Sequence, residues 1–283
     1  MQELTATTVC EGVLFPEGPR WRGDRLWFSD ILGGAVRTVT PAGVLETAAE
    51  VEHPSGLGWL PDGRLLVVGM NDRVLWRIEP DGGRAVHADL TGLARAACND
   101  MVVDGNGNAY LGAYDLAIGE RAEDMAQGKV VLVRPTGEAV VVAERMKFPN
   151  GMVVTPDNKT LIVSESFTGK LLAFDVADDG ALARRRVWAE GLAPDGICLD
   201  AGGAIWTATW QNECVRVAEG GEILDRIQLD RPCFATMLGG PRRCTLFMMA
   251  TRFLGPDKFD EMLAARTGQI LVADVRTPGA GWP

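Results

Sequence analysis

One four-residue pattern recurs six times along this chain, and each copy leads into an apolar run, a turn and a second apolar run. The copies are Phe15-Pro16-Glu17-Gly18, His53-Pro54-Ser55-Gly56, Ala97-Cys98-Asn99-Asp100, Phe148-Pro149-Asn150-Gly151, Ala193-Pro194-Asp195-Gly196 and Cys233-Phe234-Ala235-Thr236. A strand unit repeating every 40 to 50 residues or so marks a β-propeller. The expected fold is therefore all-β, a six-bladed β-propeller forming a single domain over residues 1–283. Inner strands of all blades converge on one channel in such a fold. The third-position residues Glu17, Ser55, Asn99, Asn150, Asp195 and Ala235 should then meet there as a ring, a central metal site built by symmetry.

The rest of each repeat agrees. Turns at Gly23-Asp24, Pro61-Asp62-Gly63, Pro156-Asp157-Asn158 and Asp200-Ala201-Gly202-Gly203 separate paired apolar runs, the hairpin signal. Third strands follow, as at residues 74–78, 130–133 and 171–174, and shorter fourth strands, as at 140–143 and 186–189. The best helical candidate, 259–266, lies in a polar insertion of the last blade. The run 4–14 precedes the first inner strand and is expected to pair beside 269–275, closing the ring and removing free edges.

Composition bounds the partners. With net charge −10 and 23% charged residues, the surface repels phosphate backbones, which excludes nucleic acid. No apolar run is long enough to cross a bilayer, and Met1-Gln2-Glu3-Leu4-Thr5 lacks a basic-then-apolar leader pattern. A cytoplasmic protein acting on a small molecule, with no membrane partner, is expected. The six cysteines, Cys10, Cys98, Cys198, Cys214, Cys233 and Cys244, form no C-x-x-C pair, so they read as small buried hydrophobes. Cys98 adjoins the ring at Asn99.

Glu17, Asn150 and Asp195 supply two carboxylates and an amide oxygen. Such hard donors suit one divalent cation, Ca²⁺, Mg²⁺ or Mn²⁺, with Zn²⁺ and Fe²⁺ also possible. Without a cation, two carboxylates crowded in a channel would repel and one would hold a proton. Asp62, Asp81, Asp157 and Asp200 stand instead in turn contexts. The stretch Asp104-Gly105-Asn106-Gly107-Asn108 has Ala109 where a calcium loop needs Gly and Asp115 where it needs Glu, so it reads as a hairpin turn. Only His53 and His87 exist, and no G-x-S-x-G elbow or phosphate-binding glycine loop occurs. Chemistry must rest on carboxylates and a metal.

The segments Pro16-Glu17-Gly18-Pro19-Arg20-Trp21, Cys98-Asn99-Asp100, Phe148-Pro149-Asn150-Gly151-Met152 and Pro194-Asp195-Gly196-Ile197 resemble the gluconolactonase family. That family includes senescence marker protein (regucalcin) and is related to diisopropylfluorophosphatase. The resemblance implies a six-bladed propeller with one catalytic divalent metal held by Glu17, Asn150 and Asp195. It implies that Asp195 is also the general base and that Asn99 faces substrate or water. Sugar-lactone members often carry an arginine at the position of Ala97. Here Ala97 removes a bidentate donor, and Tyr114, Phe167 and Trp210 are expected to face the same mouth as substrate-binding residues, favouring a flatter, less polar lactone. Competing expectations are a phosphotriester hydrolase, a lyase or isomerase on the same metal, and a non-enzymatic calcium- or ligand-binding propeller.

Overall fold

The computed structural model describes residues 4–115, 128–255 and 258–281. The chain opens with β1 (Thr7–Val13). The first blade is β2 (Pro16–Arg22), β3 (Arg25–Asp30), β4 (Ala35–Val39) and β5 (Leu45–Glu50), and the second is β6 (Pro54–Trp59), β7 (Leu65–Gly69), β8 (Val74–Ile78) and β9 (Arg84–Asp89). The third runs β10 (Ala97–Val103), β11 (Ala109–Tyr114), β12 (Gly128–Val133) and β13 (Ala139–Met146). The fourth runs β14 (Pro149–Val154), β15 (Thr160–Glu165), β16 (Lys170–Val176) and β17 (Leu182–Glu190). The fifth is β18 (Ile197–Leu199), β19 (Ile205–Ala208), β20 (Glu213–Val217) and β21 (Ile223–Gln228). The sixth contains β22 (Cys233–Gly239), β23 (Thr245–Ala250) and, after helix α1 (Phe259–Ala265), β24 (Gly268–Asp274).

These strands form six four-stranded sheets, five in sequence order and the last ordered β1-β24-β23-β22. β1 pairs antiparallel to β24 with Thr7 opposite Val272, so the expected closure by the N-terminal run holds. The expected helix is also present, ending at Ala265 with Arg266 in the left-handed conformation (φ 45°). The glycine-rich stretch after Val103 is a hairpin turn: Asp104 Oδ1 accepts from the amides of Asn106 and Asn108.

Apolar packing is divided between neighbouring blades. Val102, Tyr110, Met152 and Val163 pack blade three on blade four. Ile162, Ala173, Ile197 and Ile205 pack four on five. Trp21 of blade one stacks on Phe247 of blade six at 5.4 Å. The inner strands approach so closely that side chains are excluded at defined points. A Cβ on Gly56 would lie 2.3 Å from the Met101 amide nitrogen, and one on Gly196 would lie 2.4 Å from the Ala235 Cβ. This explains why glycine follows the ring position in four of the six repeats.

The ladder is irregular where the ring residues sit. Register shifts fall between Glu17 and Arg20, Pro54 and Leu57, Cys98 and Met101, and Pro149 and Met152. A bulge of this kind twists the strand and re-aims one side chain. Asp195 differs: it precedes β18 rather than lying inside a strand. Its position is nonetheless kept, because its amide donates to the Ala208 carbonyl at 3.0 Å. Among the described residues no helix is long and apolar enough to cross a membrane.

Gly196→Ala should therefore destabilise the protein by about 1–3 kcal/mol, the usual cost of overpacking, seen as a fall of several degrees in Tm. An unchanged Tm would show that blades five and six are not in contact at this point.

Candidate functional site

Three of the six repeat positions meet through side-chain contacts around the channel. Ser55 Oγ donates to Asn99 Oδ1 at 3.2 Å, and Asn99 Nδ2 donates to Asn150 Oδ1 at 2.9 Å. This chain fixes the amide of Asn150 with its oxygen toward Asn99 and leaves that oxygen a second lone pair. Ser55, Asn99, Asn150 and Asp195 are all buried. Glu17 keeps partial exposure while the protein encloses its carboxyl.

The acids are electrostatically coupled. Burial, then the charge of Asp100, pushes Glu17 up to about 8, against the bond from the Gly18 amide and the pull of Arg20. Burial, then the charge of Glu17, raises Asp195 well above the usual carboxylate range, with Cys233 and Asp100 adding to it. The indole of Trp210 opposes this weakly, but too loosely to close a hydrogen bond: Asp195 Oδ1 and Trp210 Nε1 both lack a partner. Buried polar atoms without partners are rare. An unpartnered carboxylate oxygen beside a second acid and a fixed amide oxygen is a donor set for a hard divalent cation. Among the described residues no cluster of three or more His, Cys, Asp or Glu side chains gathers, so a cation here would draw on mixed carboxylate and amide donors.

Three supporting features were not singled out from the sequence. Arg20 and Asp100 form a buried ion pair at 3.0 Å joining blades one and three, and Arg20 also bonds the Met101 carbonyl. Asp100 stands where four repeats have glycine, which was its signal. Ser29 Oγ donates to the Ser55 carbonyl at 2.5 Å, and Ser164 Oγ to the Asp195 carbonyl at 2.7 Å. Each second-strand serine thus ties down the ring residue of the next blade. Third, Phe148 joins the aromatic wall.

At the end of the channel where inner strands begin and second strands end, Tyr114 stacks on Phe148 at 4.4 Å with planes 12° apart. Phe148 contacts Phe167 at 4.3 Å, and Phe167 meets Trp210 edge-on at 5.5 Å. Tyr114, Phe167 and Trp210 are thereby brought together as expected. Phe148 (φ 64°) and Trp210 (φ 57°) hold left-handed backbone, a conformation bulky residues adopt only when their surroundings impose it. Across the mouth, Phe15, Phe234 and Phe253 form a second cluster, with Phe15 and Phe234 at 4.8 Å. Ala97 lies opposite Tyr114 in the β10–β11 register. The Tyr114 hydroxyl is buried without a partner. Burial, then the charges of Asp195, Glu17 and Asp100, raises it well above the usual phenol value.

Cys98 belongs to the packing between blades two and three rather than to the ring, and burial pushes its thiol up to about 12. His53 sits partly exposed beside Glu52, and His87 Nε2 lies 3.3 Å from the Arg134 carbonyl; neither reaches the ring acids.

The comparisons agree with this geometry. Residues 15–252 match the family described as the SMP-30/gluconolactonase/LRE-like region. The chain is 25% identical to a 6-deoxy-6-sulfogluconolactonase of Pseudomonas putida over 100% of its own length and 99% of that protein. It is 28% identical to a pentonolactonase of Haloferax volcanii over 75% of this chain and 72% of that one. The crystal structure of a calcium-binding regucalcin from Agrobacterium tumefaciens superimposes with a TM-score of 0.82 at 19% identity, covering 99% and 97% of the two chains. With the match spanning all six ring residues, the first five blades and strands β22 and β23 of the sixth, the chain belongs to the SMP-30/gluconolactonase/LRE-like family.

Proposed function

We propose that the protein is a divalent-metal-dependent lactone hydrolase whose substrate is less polar than a sugar lactone. The observation that carries the reading is the pair of buried acids Glu17 and Asp195, the charge of Glu17 raising Asp195, with Asp195 Oδ1 unpartnered among the described residues and the amide of Asn150 fixed by Asn99. Glu17, Asn150 and Asp195 would hold the metal. A bound divalent cation would supply Lewis-acid polarisation of the lactone carbonyl. Calcium suits this oxygen-only donor set best. Asp195 takes the proton of the attacking water, and Asn99 orients substrate through its remaining amide hydrogen. Relatives named as lactonases support the reaction class.

The substrate preference rests on the mouth. Ala97 offers no donor to ring hydroxyls, and a hydroxyl buried without a partner costs about 1–3 kcal/mol. Phe148, Phe167 and Trp210 instead offer apolar area worth roughly 25 cal/mol per Å² buried. A dihydrocoumarin-like lactone should have the higher kcat/KM, gluconolactone the lower, and Ala97→Arg should narrow the gap. A clear preference of the unaltered protein for the sugar lactone would overturn the substrate assignment. Faster turnover of a phosphotriester than of any lactone would overturn the reaction class.

Exhaustive chelation should abolish turnover, and Asp195→Asn should lower kcat by about 10²–10⁴-fold, the range for loss of a general base. Turnover that survives chelation would exclude the metal.

The acids also make a pH signature. Glu17 is raised from 4.5 to about 8 on folding, so between those values the folded, metal-free chain binds more protons than the unfolded one. Its contribution to stability is full below about pH 4.5 and is lost as pH rises through about 8. A cation removes the repulsion and stabilises by binding only the folded state. Added Ca²⁺ should therefore raise Tm more near the upper end of that window than near the lower end. An equal shift at both ends would mean the cation binds elsewhere.

A further inference from the structure

Tyr114 ends β11 directly opposite Ala97, and Ala97 precedes the ring residue Asn99 by two positions, about 7 Å of strand. The phenol ring is held by the near-parallel stack on Phe148, 4.4 Å away, which fixes where the hydroxyl points. That hydroxyl is buried and has no hydrogen-bond partner among the described residues. A buried tyrosine hydroxyl ordinarily finds a partner, so one left open where the charges of Asp195 and Glu17, from two other repeats, act on it is a group that substrate can engage.

Lactone hydrolysis needs two proton transfers, one away from the attacking water and one to the departing ring oxygen. When water adds to the carbonyl carbon, its oxygen forms the new C–O bond and its proton passes to Asp195. When the ring C–O bond breaks, the electron pair goes to the ring oxygen, which must gain a proton to leave as an alcohol. Asp195 has just taken a proton on the water side. The ring oxygen is bonded to the attacked carbon, so its donor must stand in the same chamber, on the wall that faces the organic part of the substrate.

We propose that Tyr114 is the proton donor to the departing ring oxygen. The phenol O–H breaks as the ring C–O bond breaks and the proton goes to the ring oxygen; after the hydroxy acid leaves, Asp195 releases the proton it took and the phenolate is reprotonated, so that both groups return to their starting states. The inference rests on the lactonase reading and adds a second proton-transfer residue to it. A second unpartnered donor at the mouth, Trp210 Nε1, can hold a substrate oxygen but is too weak an acid to release its proton.

The test separates leaving groups. An aliphatic lactone expels an alkoxide whose acidity is near that of water, about 15.7. A dihydrocoumarin-like lactone expels a phenoxide near 10, which leaves without a proton. Tyr114→Phe keeps the stack on Phe148 and removes only the hydroxyl. It should lower kcat on aliphatic δ-lactones by about 10²-fold, within the range for loss of a general acid, and on the aryl lactone by less than about threefold. Trp210→Phe should affect both alike. Equal losses on the two lactones for Tyr114→Phe, or a leaving-group dependence that follows Trp210→Phe instead, would overturn the role while the lactonase reading stands. Failure of the unaltered protein to open either lactone would overturn the reading and the role together.

Discussion

The close approach of inner strands around the channel is the constraint on which the rest depends. Backbone meets backbone where Gly151 lies against Asp195 and Ile197, and Gly196 against Ala235. No side chain fits between them. Because the strands are this near, residues far apart in sequence can touch through short side chains: Ser55, Asn99 and Asn150 form one hydrogen-bonded line across three blades. The bulges at Glu17, Ser55, Asn99 and Asn150 convert that crowding into inward aim. Without them the alternation of a regular strand would send every second residue into the blade-to-blade packing.

Crowding carries a cost that the fold relieves only in part, through the pull of Arg20 on Glu17. Arg20 is buried and bonds Asp100 and the Met101 carbonyl. Burial and the charge of Asp100 raise Glu17, and burial and the charge of Glu17 raise Asp195. Burying like charges opposes stability. The serines that hold the Ser55 and Asp195 carbonyls work in the same direction, limiting how far the ring can relax to separate the acids.

Much of the architecture was legible because it is repeated. Six copies of one pattern revealed blade number, hairpins and ring membership, and the leftover apolar run 4–14 had one remaining place to go, beside β24. Tyr114, Phe167 and Trp210 hold similar places in their repeats, each following or ending a second strand, and their rings gather through Phe148. What escaped was whatever departs from the repeat. Asp100 replaces a glycine and pairs with Arg20 eighty residues earlier, a partnership that no local spacing encodes. Phe148 was visible as part of a motif, but its stacking depends on a left-handed backbone that sequence alone does not announce. Asp195 lies outside a strand because the short β18 begins only after the proline-containing approach.

The pairing of β1 with β24 has a consequence for how the protein comes into being. Thr7 cannot meet Val272 until almost the whole chain has been synthesised, so the last blade stays one strand short throughout translation. Glu17 emerges early and Asp195 late, and the channel that brings them together closes only when the N-terminal strand docks. Contacts of such sequence separation are slow to form. A ribosome-bound fragment would therefore hold the acids apart, hydrated and ordinary, and their unusual chemistry would arise in a single step with closure.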